Sequence, residues 1–220
     1  MIKMKSPKPS KSAKNRSART RERILNAAKK VLVGVGAKKV TIRQIAKEAE
    51  VSPGLVMQYF DTKAMLILEI FHEGNRPVNE YLRESLGKFD DPYEMLFGTI
   101  RNHLERNLKN RELTRQVMAF AWTWGEEEEA QFEPNTSRVL DVVIDAMTDK
   151  FYPGYRPLVA TAVFTVSGAY AGVLRMGLHK NWSQETFLTA LKPAISMVIR
   201  GLEAEILLAE YKPDPYEFFI

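Results

Sequence analysis

With 220 residues, 45% hydrophobic and 10% aromatic, the chain can hold one large domain or two small ones around a packed core. The absence of cysteine excludes a disulfide framework and a thiolate metal site, and it suits a reducing, cytoplasmic compartment. The net charge of +5 is local: residues 1–23 hold nine Lys/Arg against Glu22, a balance of +8 that leaves the remainder at −3, so the basic end reads as a polyanion-binding arm or a solubilising leader.

In chain order, a Ser/Pro/Lys-rich flexible arm (1–18) comes first, without the apolar run and cleavage site of a secretory signal. Ile24, Ala27, Ala28, Val31, Leu32 and Val35 then form one stripe of an amphipathic helix, stopped by Gly34 and Gly36. Thr41 caps a second, short helix carrying Ile42, Ile45, Ala46 and Ala49. Ser52-Pro53 is a hydroxyl cap followed by proline at the first helical position, and it opens a third helix ending near Phe60. From Val51 to Phe60 that stretch carries no charge, in a chain that is 27% charged.

Further helices are expected at 62–87, bent or broken by Pro77, and at 92–108, 111–125, 134–151, 156–179 and 183–209, the last capped by Ser183. No alternating strand pattern occurs. The expectation is an all-α fold of about nine helices: a helix-turn-helix head (19–65), a larger helical regulatory and dimerisation domain (66–210) and a tail (211–220). Pro157 to Leu174 is uncharged for 18 residues, but Thr161, Thr165, Ser167, Gly168, Tyr170 and Gly172 dilute it. It reads as a helix buried on most sides, not as a membrane span.

Two short capped helices separated by a few residues are the pattern of a helix-turn-helix, whose second helix lies in the DNA major groove. Ordinary bundle packing is the alternative; the preceding helix, the basic arm and the two caps favour the former. The segment Thr20 to Phe71 also resembles the DNA-binding head of the TetR family of bacterial transcriptional regulators, through Thr41 to Ala46, Val51 to Gly54, Phe60 and Lys63. The resemblance implies an all-α homodimer that binds a palindromic operator in double-stranded DNA, commonly as a repressor released by a small-molecule effector. Two residues depart from the family pattern. Glu50 stands where glycine is common in the turn, a cost on the order of 1 kcal/mol if the backbone there is left-handed. Met57 stands where tyrosine is common and cannot donate to a phosphate, which leaves a weaker backbone grip or a thymine-methyl contact.

The candidate DNA-binding residues are Thr41, Arg43, Ser52, Pro53, Gly54, Leu55, Met57, Gln58, Tyr59 and Lys63. Lys63 at a helix start suits a phosphate, Gln58 can pair bidentately with adenine, Tyr59 can reach phosphate, and Leu55 or Met57 can pack on thymine methyls. Thr41 and Ser52 serve as caps or as DNA contacts, core packing is the alternative for Met57 and Tyr59, and the resemblance makes Arg43 a base or phosphate contact. Val56 and Phe60 belong to the core.

In the body, Gly168 and Gly172 give a small-residue face, and the resemblance makes the last two helices a dimer bundle with Met176, Ile195, Val198 and Leu202; a crossing within one chain is the alternative. Phe97, Arg101, His103, Met118, Trp122, Met147, Phe164 and Tyr170 would suit an apolar pocket with a few polar fixtures, hence a hydrophobic or aromatic effector. No cofactor or metal is expected. His72, His103 and His179 are far apart, and Glu126 to Glu129 reads as a solvated loop or helix end, so an enzyme is not expected. A transcriptional activator, or a helical interaction module with a non-specific polyanion-binding arm, is the alternative function.

Overall fold

Nine α-helices and one 3-10 turn make up this computed structural model, with no strand among the described residues. The structure describes the backbone of residues 11–121 and 125–210, and the side chains there except at 11–14, 74–81, 83, 121, 127–129 and 131–138. The helices are α1 (Lys11–Val35), α2 (Ile42–Glu48), α3 (Pro53–Phe60), α4 (Lys63–Ser85), α5 (Pro92–Lys109), α6 (Arg111–Ala121), α7 (Glu126–Phe151), α8 (Arg156–His179) and α9 (Gln184–Glu210). Two compact units result: Met1–Glu73 with Gln116–Glu128, and Gly74–Arg115 with Glu129–Ile220.

The first unit is built on local signals. The Thr41 hydroxyl accepts from the Gln44 amide at 3.3 Å while Gln44 Oε1 accepts from the Thr41 amide at 2.9 Å, a reciprocal capping box. Ser52 caps α3 by accepting from the Leu55 amide at 3.1 Å, with Pro53 at the first helical position. Ile24, Leu25 and Leu32 of α1, Ile45 and Ala46 of α2, Val56 and Phe60 of α3 and Leu66 and Ile67 of α4 are buried. Each large apolar side chain buried in this way contributes roughly 1.5–3 kcal/mol. Gln116 of α6 joins this unit by accepting a hydrogen bond from the Ala37 amide at 2.8 Å, just past Gly36, whose φ of 82° closes α1.

The second unit packs α5, α8 and α9 against one another around Met95, Ile100, Val159, Leu191 and Ile195, with Ile144 and Met147 of α7 in the same core. A Cβ placed on Gly177 would overlap the ring of fully buried Phe187, so glycine is required there for α8 to approach α9. The chain leaves α8 through Asn181 in the left-handed region (φ 54°), and Arg111 Nη2 donates to the Trp182 carbonyl at 2.7 Å. The second unit's α7 is held at its C-terminal end by Lys150, which donates to the Phe89 carbonyl and pairs with Asp90 at 3.0 Å.

Several expectations change. Residues 11–18, assigned to a flexible arm, are helical, because α1 starts at Lys11. The backbone of α4 runs through Pro77 without a break. Of the two readings of the acidic run from Glu126, the helix end holds: it begins α7, where the dipole favours negative charge. Helix α8 is not buried on most sides. It is the one helix among the described residues long and apolar enough to cross a membrane, yet only 28% of its apolar window is covered, and Phe164 is 53% exposed. Nothing lies within 4 Å of where a Cβ on Gly168 or Gly172 would stand.

Candidate nucleic-acid interface

Helix α3 separates its residues into two sets by simple periodicity. Val56 (0% exposed) and Phe60 (5%) face inward, and Ser52, Pro53, Gly54, Met57 and Gln58 face outward, with Leu55 and Tyr59 half-buried at the edges. A surface free of charge is therefore presented by a helix anchored from behind. Nothing lies within 4 Å of the position a Cβ on Gly54 would take, and its φ is not left-handed, so the fold does not demand glycine there. Met57, at 38% exposure, is on this face and not in the core.

The turn into α3 carries strain. Glu50 has φ 52°, the left-handed conformation in which a non-glycine residue costs on the order of 1 kcal/mol. Arg43 is exposed in the first turn of α2, and Thr41 is exposed although it caps. Lys63 is placed differently from the expectation of an outward phosphate ligand: its Nζ lies 3.4 Å from the Val40 carbonyl oxygen and 5.3 Å from the centre of the Phe120 ring on α6. Thr62 caps α4 instead, accepting from the Met65 amide at 3.0 Å.

Sequence reasoning missed one contact on this surface. Ser17 Oγ of α1 lies 3.1 Å from the Tyr59 hydroxyl, tying α1 to the last turn of α3. No local pattern announces a bond between residues so far apart in the chain.

In the body, the structure brings together two of the effector candidates. His103 of α5 and Tyr170 of α8 meet edge to face at 5.3 Å, and Asn107 Nδ2, which no sequence pattern singles out, donates to the Tyr170 hydroxyl at 2.7 Å. Burial, with a smaller push from Arg106, holds the His103 imidazole down at about 4, so it is neutral at physiological pH. Burial raises the Tyr170 phenol. Phe97 and exposed Arg101 stack at 6.0 Å elsewhere on α5, Met147 is sealed in the core at 0% exposure, and Phe164 is on the open face of α8. Met118 falls in the first unit, and Trp122 lies outside the described residues.

Of the dimerisation candidates, Gly168, Gly172 and Met176 are exposed on α8 and Val198 is half-buried on α9. Ile195 (0%) and Leu202 (5%) belong to the unit's own core. The open stripe of α9 is instead Met197, Gly201, Ala204 and Leu208, at a spacing of three and four. Helix α9 has apolar residues on both stripes, and the sequence does not say which one turns inward.

A capped two-helix turn on a three-helix core, with a neutral outward face and basic flanks, is a helix-turn-helix DNA-binding head. Residues 24–70 match the sequence model described as "Bacterial regulatory proteins, tetR family", and the head is a TetR-family domain. The chain is 34% identical over 80 residues to the HTH-type transcriptional regulator BetI of Brucella anthropi, a match covering 36% of this chain and 41% of that relative. Its fold is that of TetR-family structures. The B. subtilis FadR–stearoyl-CoA complex superposes with a TM-score of 0.66 at 16% identity, covering 82% of this chain and 98% of that one. NalD, the secondary repressor of the MexAB-OprM multidrug efflux pump in Pseudomonas aeruginosa, gives 0.60 at 21%, covering 84% and 96%.

Proposed function

We propose that the protein is a ligand-responsive transcriptional regulator, a cytoplasmic repressor that binds a palindromic operator as a homodimer and is released by a small hydrophobic or aromatic effector. The observation that carries this reading is the outward face of α3, where Gly54, Met57 and Gln58 stand exposed on a helix fixed from behind by Val56 and Phe60. Gln58 pairs with an adenine edge, Met57 packs on a thymine methyl, and Arg43 at the start of α2 takes base or phosphate.

Dimerisation is supported by the open stripes of α8 and α9, where Phe164, Met176 and Met197 are 53%, 43% and 61% exposed around bare glycines. A second copy of the same face covers them and places two heads on two half-sites. For the effector, the paired polar groups of His103, Asn107 and Tyr170 within an apolar body are suited to fix the polar end of a largely apolar molecule. The structural neighbour FadR binding stearoyl-CoA is in keeping with such a ligand. Helices α4 and α6 each contribute residues to both units, and Phe120 of α6 holds Lys63 at the start of α4. Effector binding that shifts these helices changes the disposition of the heads and the freedom of Lys63 together.

Selection of bound sequences from random duplex DNA by the purified protein tests the reading. The expected product is a palindrome with half-sites about one helical turn apart, still preferred at 0.2 M salt on the order of a thousandfold over random duplex. Binding that collapses equally for all sequences as salt rises identifies a polyanion binder and defeats it.

A further inference from the structure

Helix α1 begins at Lys11, well before Ile24, where the family match starts. In the helical segment ahead of that match, the described residues, 15–23, have two faces. Ser17 and Arg21, one turn apart, are occupied: Ser17 meets the Tyr59 hydroxyl at 3.1 Å, and Arg21 lies 5.3 Å over the Phe60 ring and 2.7 Å from Glu69. Arg16, Arg19 and Arg23, at spacings of three and four on another face, are exposed and pair with no acid among the described residues. Further along the same stripe, Lys30 is neutralised by Glu48 at 2.5 Å. The unpaired charge is thus concentrated at the end of α1 that the Ser17–Tyr59 bond fastens to the recognition helix.

The hydroxyl pair has a chemical consequence. A phenol donates one proton and so does a serine, and a phosphate oxygen only accepts. If Ser17 donates to the Tyr59 oxygen, the Tyr59 proton is released for a phosphate, and the ring is held in place while it does so. The bond is between exposed hydroxyls, so it orients a surface group.

We propose that this extension of α1 is a second DNA-contacting element, in which Ser17 positions the Tyr59 hydroxyl for a phosphate and Arg16 and Arg19 bind phosphates flanking the groove that α3 reads. The proposal rests on the reading of α3 as the recognition helix. It makes Ser17 a positioning residue that acts through Tyr59, and it extends the footprint along the backbone without adding sequence preference.

The test uses the full-length chain and an operator obtained by selection, with affinity measured across a salt series for wild type, Ser17→Ala, Tyr59→Phe, their double variant and Arg16→Ala/Arg19→Ala. Ser17→Ala and Tyr59→Phe should each weaken operator binding about fivefold, and the double variant should be no weaker than Tyr59→Phe alone. The double arginine variant should weaken all duplexes alike and lower the slope of log K against log salt by about 1.8. Alanine is at least as good as serine or arginine in a helix, so a loss of binding with an unchanged thermal midpoint is not unfolding. Multiplied losses in the Ser17/Tyr59 double variant, an inert Ser17→Ala, or an unchanged salt slope overturns the proposal while the operator is still bound. A wild type that selects no sequence defeats the functional reading itself.

Discussion

Both units expose uncharged side chains where a globular protein ordinarily places charge, and the difference between the two surfaces separates their uses. On α3 the exposed set is small and mixed, Pro53, Gly54, Met57 and Gln58, and Arg43 and the arginines of α1 are exposed in the same unit. On α8 and α9 it is broad and apolar, with Phe164, Met176, Met197 and Leu208 between 43% and 65% exposed. A neutral strip in a unit that also exposes cations fits a groove whose walls are phosphates and whose floor is base edges. A wide apolar stripe with glycines fits another apolar helix pair.

The sharpest contrast within the body is between two glycines of α8. Gly177→Ala drives a Cβ into the Phe187 ring and should cost about 3 kcal/mol in a denaturant titration. Gly172→Ala meets nothing in the isolated chain and should leave its stability within about 0.5 kcal/mol or raise it. Equal losses at both positions would remove the distinction between closed core and open face.

A pH titration separates the units next. His103 is neutral in the folded body with its pKa near 4, against 6.5 when exposed. Above pH 6.5 neither state is protonated and stability is level. Below it the unfolded chain takes a proton that the folded one refuses, so stability should fall by up to about 2 kcal/mol on the way to pH 4, allowing for partial solvent access. His103→Gln should flatten this limb of the denaturation midpoint against pH; an unchanged limb would show that the charge is taken up elsewhere.

Smaller effects belong to the head. Gln58→Ala should reduce the preference for one base pair of the operator by about 1.5 kcal/mol without altering the unfolding midpoint, and an unchanged selected sequence would take Gln58 out of the reading face. Glu50→Gly removes the left-handed strain at φ 52° and should stabilise the head by up to about 1 kcal/mol, with operator affinity little changed. A destabilisation there would mean that the Glu50 side chain has a compensating role.

The head was legible residue by residue because its determinants are local. Thr41 with Gln44 and Ser52 with Pro53 set helix starts within four residues of one another, and the structure reproduces both caps. Lys63 was not legible in the same way: a lysine at a helix start reads as a phosphate ligand, but a side chain so long can fold back onto Val40 and Phe120. The effector candidates did not resolve into one site. Aromatic residues crowd any core, and packing alone brought His103 to Tyr170 while sealing Met147 away and leaving Phe164 outside.

By itself the sequence determined the helical fold, the capped turn, the inward side of α3 and the basic bias of the N-terminus, since each follows from backbone preferences and periodicity over a few residues. Tertiary structure decided which stripe of α8 and α9 faces out, where Lys63 rests, and that Ser17 reaches Tyr59. Those are choices between surfaces of similar composition, or bonds across 42 residues of chain, and they are settled only when the helices pack.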